Sequence, residues 1–327
     1  MKALVTGGAG FMGSHVAEEL VTAGHDVVVL DDLSGGFTEN LPDGVTFIEG
    51  SIVDQTLIKQ IFQEHQFDHV YHLAAYAAEG LSHFIRHFNY ENNLIGSVNL
   101  INAAVNHGVK SFVFTSSIAV YGGQEPPFVE TSYPLPEDPY AIAKFAIEMD
   151  LKVAHEMWGM NFIIFRPHNV YGERQNIGDK YRNVIGIFMN QLMQDKEITI
   201  FGDGAQTRAF TYIRDISSII AQSVFEPKAQ NEVFNLGSST PYSVSELAES
   251  VQSAMGKSGK IKYLQARNEV VHAYSDHQKV ADIFGPLTTT PLEEGLVKMA
   301  QWAQQTGSRS SQEFDHIEIR NKLPEGW

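Results

Sequence analysis

The chain has 327 residues, 43% of them apolar, and a formal net charge of −16, which is enough for one large α/β domain or two unequal ones. It has no cysteine, which excludes disulfides, thiolate nucleophiles and Cys-ligated metals and fits a reducing, cytoplasmic setting. The acidic balance disfavours nucleic acid, no apolar run reaches membrane-spanning length, and Met1-Lys2 leads into a strand with no room for a signal peptide.

Residues 2–6 read as a short buried strand. The turn Gly7-Gly8-Ala9-Gly10-Phe11-Met12-Gly13 follows, then a helix over 14–23. Strand, glycine turn and helix are what it takes to set a pyrophosphate on a helix N-terminus, where small residues admit the phosphates and free N–H groups bind them. The alternative is a tight turn with no ligand. The next strand, 26–30, ends in Asp31-Asp32, with Asp31 18 residues beyond Gly13. A carboxylate there accepts hydrogen bonds from the adenosine ribose and repels a 2′-phosphate, which favours NAD over NADP.

Residues 45–49 are a third predicted strand, followed by Gly50-Ser51-Ile52-Val53-Asp54, a helix over 55–63, a strand over 69–73 and the turn Ala74-Ala75. This alternation indicates a doubly wound parallel sheet. Ligands in such sheets sit beyond the carboxyl ends of the strands, so the turns after residues 6, 30, 73 and 115 are expected to surround one crevice. A long helix is predicted over 89–107, with Leu94, Val98, Ile101 and Val105 on one face, and a strand over 111–115 that runs into Thr115-Ser116-Ser117.

A loop rich in Pro and Glu leads to a helix over 140–158 that opens with Tyr140-Ala141-Ile142-Ala143-Lys144. Tyr and Lys at i and i+4 share a helix face. A phenol with a pKa of about 10 is a poor base at pH 7, and a nearby ammonium lowers that pKa. Reaching about 7 takes roughly 4 kcal/mol, within the means of one Lys and a positively charged cofactor in a water-poor site. The pattern recurs by chance in ordinary helices; the glycine turn and the serines upstream give it weight.

A strand over 161–165 ends in Arg166-Pro167-His168-Asn169-Val170-Tyr171-Gly172, after which the alternation weakens. The remaining predicted elements are a loop over 178–183, a helix over 184–194, a strand over 198–201 before Gly202-Asp203-Gly204, the segment 206–212, a helix around 213–225, a strand over 233–237 and a helix over 244–255. There is no internal repeat or low-complexity tract, and the polar tail, 307–327, has no readable role.

With these motifs in fixed order, and with His72-Leu73-Ala74-Ala75, Val120-Tyr121-Gly122 and Arg208 added, the chain resembles the extended short-chain dehydrogenase/reductases from Lys2 to about Pro291. Within them it is similar to the nucleotide-sugar epimerases and dehydratases, nearest to UDP-glucose 4-epimerases. The resemblance implies a Rossmann-like NAD-binding domain over 1–172 and a mainly substrate-binding part over 173–306, with some elements returning to the sheet. It implies NAD contacts from Gly7, Gly10, Phe11, Met12, Gly13, Asp31, Asp32, Ser51, Ile52, Leu73, Ala74, Ala75, Tyr140 and Lys144, with Phe11 also reading as a packing residue. It makes Tyr140 the base for the sugar 4-hydroxyl, Lys144 the group that lowers its pKa, and Ser117 a hydrogen-bond partner of the same oxygen. Asn169, Arg208 and Arg267 match positions that contact a UDP-sugar diphosphate. The helices 89–107 and 140–158 resemble those of a homodimeric four-helix bundle, although their apolar stripes are equally compatible with burial inside one subunit.

The departures bear on specificity. Ser51 replaces a usual carboxylate, and Ala77 stands where many such enzymes have a Lys facing the cofactor phosphates. Glu79 reads either as a solvated loop carboxylate or as a second acid/base near C5 or C6, as a dehydratase or 3,5-epimerase would need. Ile118-Ala119 replace the Asp-Glu pair of 4,6-dehydratases. Ala273 lies where a small residue would leave room for an N-acetyl group. His83 and His87, at i and i+4, have no evident third ligand and read as a helix face, without metal; His168 reads as a packed or backbone-bonded residue and Tyr121 as a support for its turn. The rival from another class is a non-catalytic NAD-binding protein, against which the intact Ser117, Tyr140 and Lys144 argue.

Overall fold

A computed structural model describes residues 1–266, 270–310 and 313–324. The first half alternates β1 (Lys2–Thr6), α1 (Phe11–Thr22), β2 (Asp26–Asp31), β3 (Thr46–Glu49), α2 (Gln55–His65) and β4 (His69–His72). Short helices α3 (Glu79–Ser82) and α4 (Arg86–Tyr90) then precede α5 (Gly96–Asn106), β5 (Ser111–Thr115), α6 (Pro139–Trp158), β6 (Asn161–Pro167) and β7 (Val170–Tyr171). Seven strands pair in the order β11-β6-β5-β4-β1-β2-β3, the outermost being β11 (Glu232–Leu236), and all the pairings are parallel. This is a Rossmann-like sheet with its crossover between β3 and β4.

Alternate residues of each strand feed opposite cores, as the two-residue period requires. Ala3, Val5, Val27, Val29 and Phe165 pack with Val16, Ala17 and Leu20 of α1. Leu4, Val28, Leu30, Phe114 and Ile164 pack with α2, α5 and α6 through Ile58, Phe62, Leu100, Ile147 and Leu151.

Beyond β7 come α7 (Val184–Met193), β8 (Ile198–Phe201), β9 (Thr207–Ala209), β10 (Thr211–Tyr212) and α8 (Ser217–Gln222) before β11, then β12 (Pro241–Ser243), α9 (Val244–Met255), β13 (Ile261–Leu264), β14 (His272–Ala273), α10 (Gln278–Phe284) and α11 (Leu292–Thr306). These later strands form small sheets, β12-β9-β14, β13-β8 and β10-β7. Periodicity does not predict β12, β13, β14, α10 or α11.

Two predicted helices differ in form. The helix over 89–107 is α4, a π turn at Glu91–Ile95, and α5. The side chain of Asn93, in that wider turn, accepts from Tyr76 N–H at 2.8 Å and donates to Tyr76 C=O at 3.0 Å, clamping the loop after β4. The helix around 213–225 is α8 flanked by two 3₁₀ turns, and the Ser223 hydroxyl back-bonds to the Ile220 carbonyl at 2.8 Å.

Helix α6 is defined at both ends. Asp138 caps it by accepting from Ala141 N–H at 2.9 Å, Pro139 occupies its first turn, and Gly159 stops it with φ +72°. In its middle Glu148, fully buried, accepts from Arg166 Nε at 2.9 Å and Nη2 at 2.5 Å, and from the Ser116 hydroxyl at 2.5 Å. Arg166 also reaches the Tyr121 hydroxyl at 2.7 Å, which donates to Asn235. Removing one charge strands the other in the core. Arg166→Met is therefore expected to lower the unfolding free energy by roughly 3–5 kcal/mol in urea titrations, and adding Glu148→Met is expected to recover part of the loss.

Candidate active site

The carboxyl ends of the strands open onto a cavity of about 1670 Å³, above the roughly 300–1,000 Å³ of a single small-ligand pocket. Among the described residues its wall carries six Lys or Arg (Lys144, Lys180, Arg182, Lys196, Arg208, Lys322) and six Asp or Glu (Asp31, Asp32, Glu79, Glu137, Asp138, Asp179). The chain as a whole is at −16, so the wall gathers the cations that an anionic ligand needs.

At one end the β1–α1 turn forms a cradle that side chains would fill. Gly7 has φ +71°, and a Cβ on Gly13 would lie 2.1 Å from the Gly7 carbonyl oxygen. The bare turn leaves the first N–H groups of α1, which starts at Phe11, three residues earlier than predicted, facing the cavity beside Gly10, Met12 and Gly13. Asp31 ends β2, accepting from Ala9 N–H at 3.0 Å and Leu33 N–H at 2.8 Å. Burial pushes its carboxyl above the ordinary range against those two bonds. Asp32, Ile52, Leu73, Ala74 and Ala75 line the same end. Ser51 does not; its hydroxyl accepts from Val53 N–H at 3.3 Å instead. A glycine cradle, a helix N-terminus and an acid at the end of β2 fit a dinucleotide such as NAD.

In the middle stand Ser117, Tyr140 and Lys144. Ser117 caps a 3₁₀ turn through Ala119 N–H at 3.1 Å, and its hydroxyl is close enough to favour the Tyr140 phenolate. Lys144 Nζ donates to the Thr115 carbonyl at 2.7 Å and lies 5.8 Å from the Tyr140 ring. Burial pulls the Lys144 amine down to about 7, with Glu148 opposing. Burial also pushes the Tyr140 phenol well above its ordinary range, helped by Glu79 and Asp138. Desolvation thus outweighs the two groups that oppose it, the Ser117 hydroxyl and the Arg182 guanidinium, in place of the lowering expected from Lys144. Glu79 opens α3 in the cavity wall, near enough for its charge to act on Tyr140.

At the other end Asn169 (φ +41°) donates to the Ala209 carbonyl at 3.2 Å. Arg208 lines the wall and donates to the carbonyls of Thr207 and Val271 at 2.9 Å, and to that of Val270. Ala273 lies beside it in β14 and lines the cavity. Arg267 lies outside the described residues. His168 packs against Ala209 C=O at 3.1 Å and against His277 at 3.1 Å. His83 lines the cavity, whereas His87 is exposed. Among the described residues no three His, Asp or Glu are grouped to hold a metal ion.

Two contributors were not legible in the sequence. Arg182, in the predicted loop, lies in the wall with its guanidinium 4.6 Å over the Tyr76 ring. The tail returns to the site: Arg309 pairs with Glu39 at 2.5 Å, Phe314 packs on Tyr76 and Phe88, and Glu318 accepts from the N–H groups of His87 and Phe88 at 2.8 and 2.9 Å. Ile319 and residues 321–324 then line the cavity. A polar tail with few aromatics gives no periodic signal of such docking.

Comparison with known proteins agrees with this geometry. The model of the NAD dependent epimerase/dehydratase family matches residues 3–237. The crystal structure of UDP-glucose 4-epimerase from Thermotoga maritima with UDP-glucose superposes with a TM-score of 0.89 at 34% identity, over 94% of this chain and 99% of that one. The UDP-glucuronic acid 4-epimerase of Bacillus cereus, in complex with UDP-glucuronic acid and NAD, gives 0.84 at 30% identity, over 94% and 100%. The UDP-N-acetyl-alpha-D-glucosaminuronate decarboxylase of Bacillus cytotoxicus is 32% identical over 92% of this chain and 97% of its own.

The buried histidines set a pH dependence. Burial holds His15, His69 and His168 down at about 4 and His277 at about 3, against about 6.5 in the unfolded chain. The unfolded state therefore binds more protons below pH 6.5, and the stability these neutral rings contribute is present above that value and lost toward pH 4. Urea midpoints measured at pH 7 and pH 5 are expected to fall, with on the order of 1–2 kcal/mol lost per buried histidine.

Proposed function

The chain belongs to the NAD dependent epimerase/dehydratase family, and we propose that it is an NAD-dependent nucleotide-sugar 4-epimerase acting on a UDP-hexose, UDP-N-acetylhexosamine or UDP-hexuronate. The observation that carries this reading is the placement of Ser117, Tyr140 and Lys144 in one wall, between a dinucleotide cradle and the Asn169–Arg208 end. Gly7, Gly10, Phe11, Met12 and Gly13 hold the cofactor pyrophosphate, and Asp31 holds the adenosine ribose. Bound NAD supplies a hydride acceptor and donor for the sugar C4, and a positive ring charge that favours the phenolate.

Tyr140 takes the proton of the sugar 4-hydroxyl and returns it once the 4-keto sugar has turned over. Ser117 hydrogen-bonds the same oxygen and fixes its direction. Lys144, held by the Thr115 carbonyl, orients the nicotinamide ribose and adds positive charge to the wall. Asn169 and Arg208 grip the diphosphate, for which a guanidinium fork suits the oxygens. Ala273 leaves space beside the sugar for an acetamido group. The position of Glu79 near Tyr140 supports a second reading, a dehydratase or 3,5-epimerase in which Glu79 moves a C3 or C5 proton.

Tyr140→Phe is expected to keep NAD binding and lose turnover by about 10²–10⁴-fold; survival of both binding and turnover would remove Tyr140 as the base. Incubation with UDP-glucose, UDP-N-acetylglucosamine and UDP-glucuronate, followed by mass spectrometry and proton NMR, is expected to give an isomer of unchanged mass with altered C4 coupling. Loss of one water would move the assignment to the Glu79 reading.

The same reading includes a homodimer. Ile142, Met149, Val153 and Met157 form an exposed stripe down α6, 41–66% accessible, of the kind that marks an interface. Met149→Glu combined with Val153→Glu is expected to shift the sedimentation coefficient from dimer to monomer.

A further inference from the structure

We infer that Arg182 is a clamp for the cofactor pyrophosphate, reaching it from the side opposite the glycine turn. The inference rests on the assignment of NAD to this cavity. Bound there, the pyrophosphate brings two negative charges to an end of the wall that already holds Asp31 and Asp32. The α1 N-terminus offers only about half a charge against them. A full cation is needed, and among the described residues the wall has six to offer.

Arg182 is the one that meets the loop laid over the glycine turn. A Cβ on Gly36 would lie 2.7 Å from Ala9 C and 2.9 Å from Gly10 N, so this loop presses on the turn itself. A Cβ on the preceding Gly35 would lie 3.0 and 3.2 Å from Nη1 and Nη2 of Arg182. The bare glycines let the guanidinium come down to the edge of the cradle. Lys144 and Arg208 stand elsewhere in the wall, at the Thr115 carbonyl and on the β9–β14 edge.

Two contacts hold Arg182 in place. Asp179 Oδ2 lies 2.8 Å from Nε, and the Tyr76 ring lies under the guanidinium at 4.6 Å. Tyr76 is in turn fixed by Asn93. The Asp179 ion pair, the aromatic face below and a hydrogen bond with the Tyr76 side chain orient the fork, and its remaining N–H groups suit phosphate oxygens in the bidentate geometry that favours Arg over Lys. Arg182 comes from the segment before α7, so it closes the cradle from the later half of the chain. Ala77, beside Tyr76 in the same wall, brings no charge of its own.

The test is equilibrium binding by titration calorimetry on the full chain, with NAD, ADP-ribose, adenosine and UDP as separate probes. Arg182→Gln is expected to weaken NAD and ADP-ribose by roughly 10- to 100-fold and to leave adenosine and UDP within about twofold. Intact adenosine binding shows that the variant is folded. Arg182→Lys is expected to lie between the two, and Ala77→Lys placed in the Arg182→Gln background to restore part of the NAD affinity by returning a charge to the wall. Unchanged NAD binding in both Arg182 variants overturns the inference, as does a loss confined to UDP, which would assign Arg182 to the nucleotide-sugar diphosphate. Wild-type protein that takes up no NAD would overturn the cofactor assignment and this inference together, whereas an unaffected variant of an NAD-binding wild type overturns this inference alone.

Discussion

The wall that carries Tyr140 and Lys144 depends on how α6 is turned about its own axis, and the buried Glu148–Arg166 pair fixes that turn. Tyr140, Lys144 and Glu148 repeat at every fourth residue, so they share one face. Glu148 is tied to Arg166 at the end of β6 and to Ser116 after β5, while Lys144 is tied to Thr115. A rotation by one residue, about 100°, would break all of these bonds and carry the phenol out of the cavity. A buried ion pair is a poor source of net stability because both charges are desolvated. Here it serves register: the tips of two strands and the phase of one helix are set by a single guanidinium and carboxylate.

Charge is arranged on the same plan at larger scale. An acidic molecule repels the anions it handles, and only a locally balanced cavity lets them in. The balance comes from segments far apart in sequence: Lys144 from α6, Arg182 from the loop before α7, Arg208 from β9 and Lys322 from the tail. Burial then adjusts what the charges can do. The desolvation that draws the Lys144 amine to about 7 also keeps the phenol protonated, so one dry environment acts in opposite directions on the two groups.

The sheet was legible because its strands are buried on both faces and punctuated by small-residue turns, and β1 to β6 lie close to their predicted spans. The glycine cradle was legible for a steric reason, since a Cβ at Gly13 has no room, and Asp31 because strand, turn and spacing place it together. The π turn was not, because α-helical periodicity continues through Glu91–Ile95 and only the contact from Asn93 to Tyr76 marks the change. Arg182 and the tail were missed because their positions are set by packing with residues more than a hundred places away, such as Tyr76 and Phe88, and not by any local pattern. Ser51, expected to contact the ligand from its place after β3, accepts from Val53 N–H in its own turn.

The return of the tail to the cavity sets an order in time. The glycine cradle and the Arg182 that flanks it are both in the chain before residues 319–324 are made. The part of the wall at residues 319–324 follows them only later in the chain. At about 5–20 residues per second of synthesis, the interval is roughly 7–30 s. A nascent chain thus has the residues for the glycine-turn end of the cavity well before the tail can complete the wall.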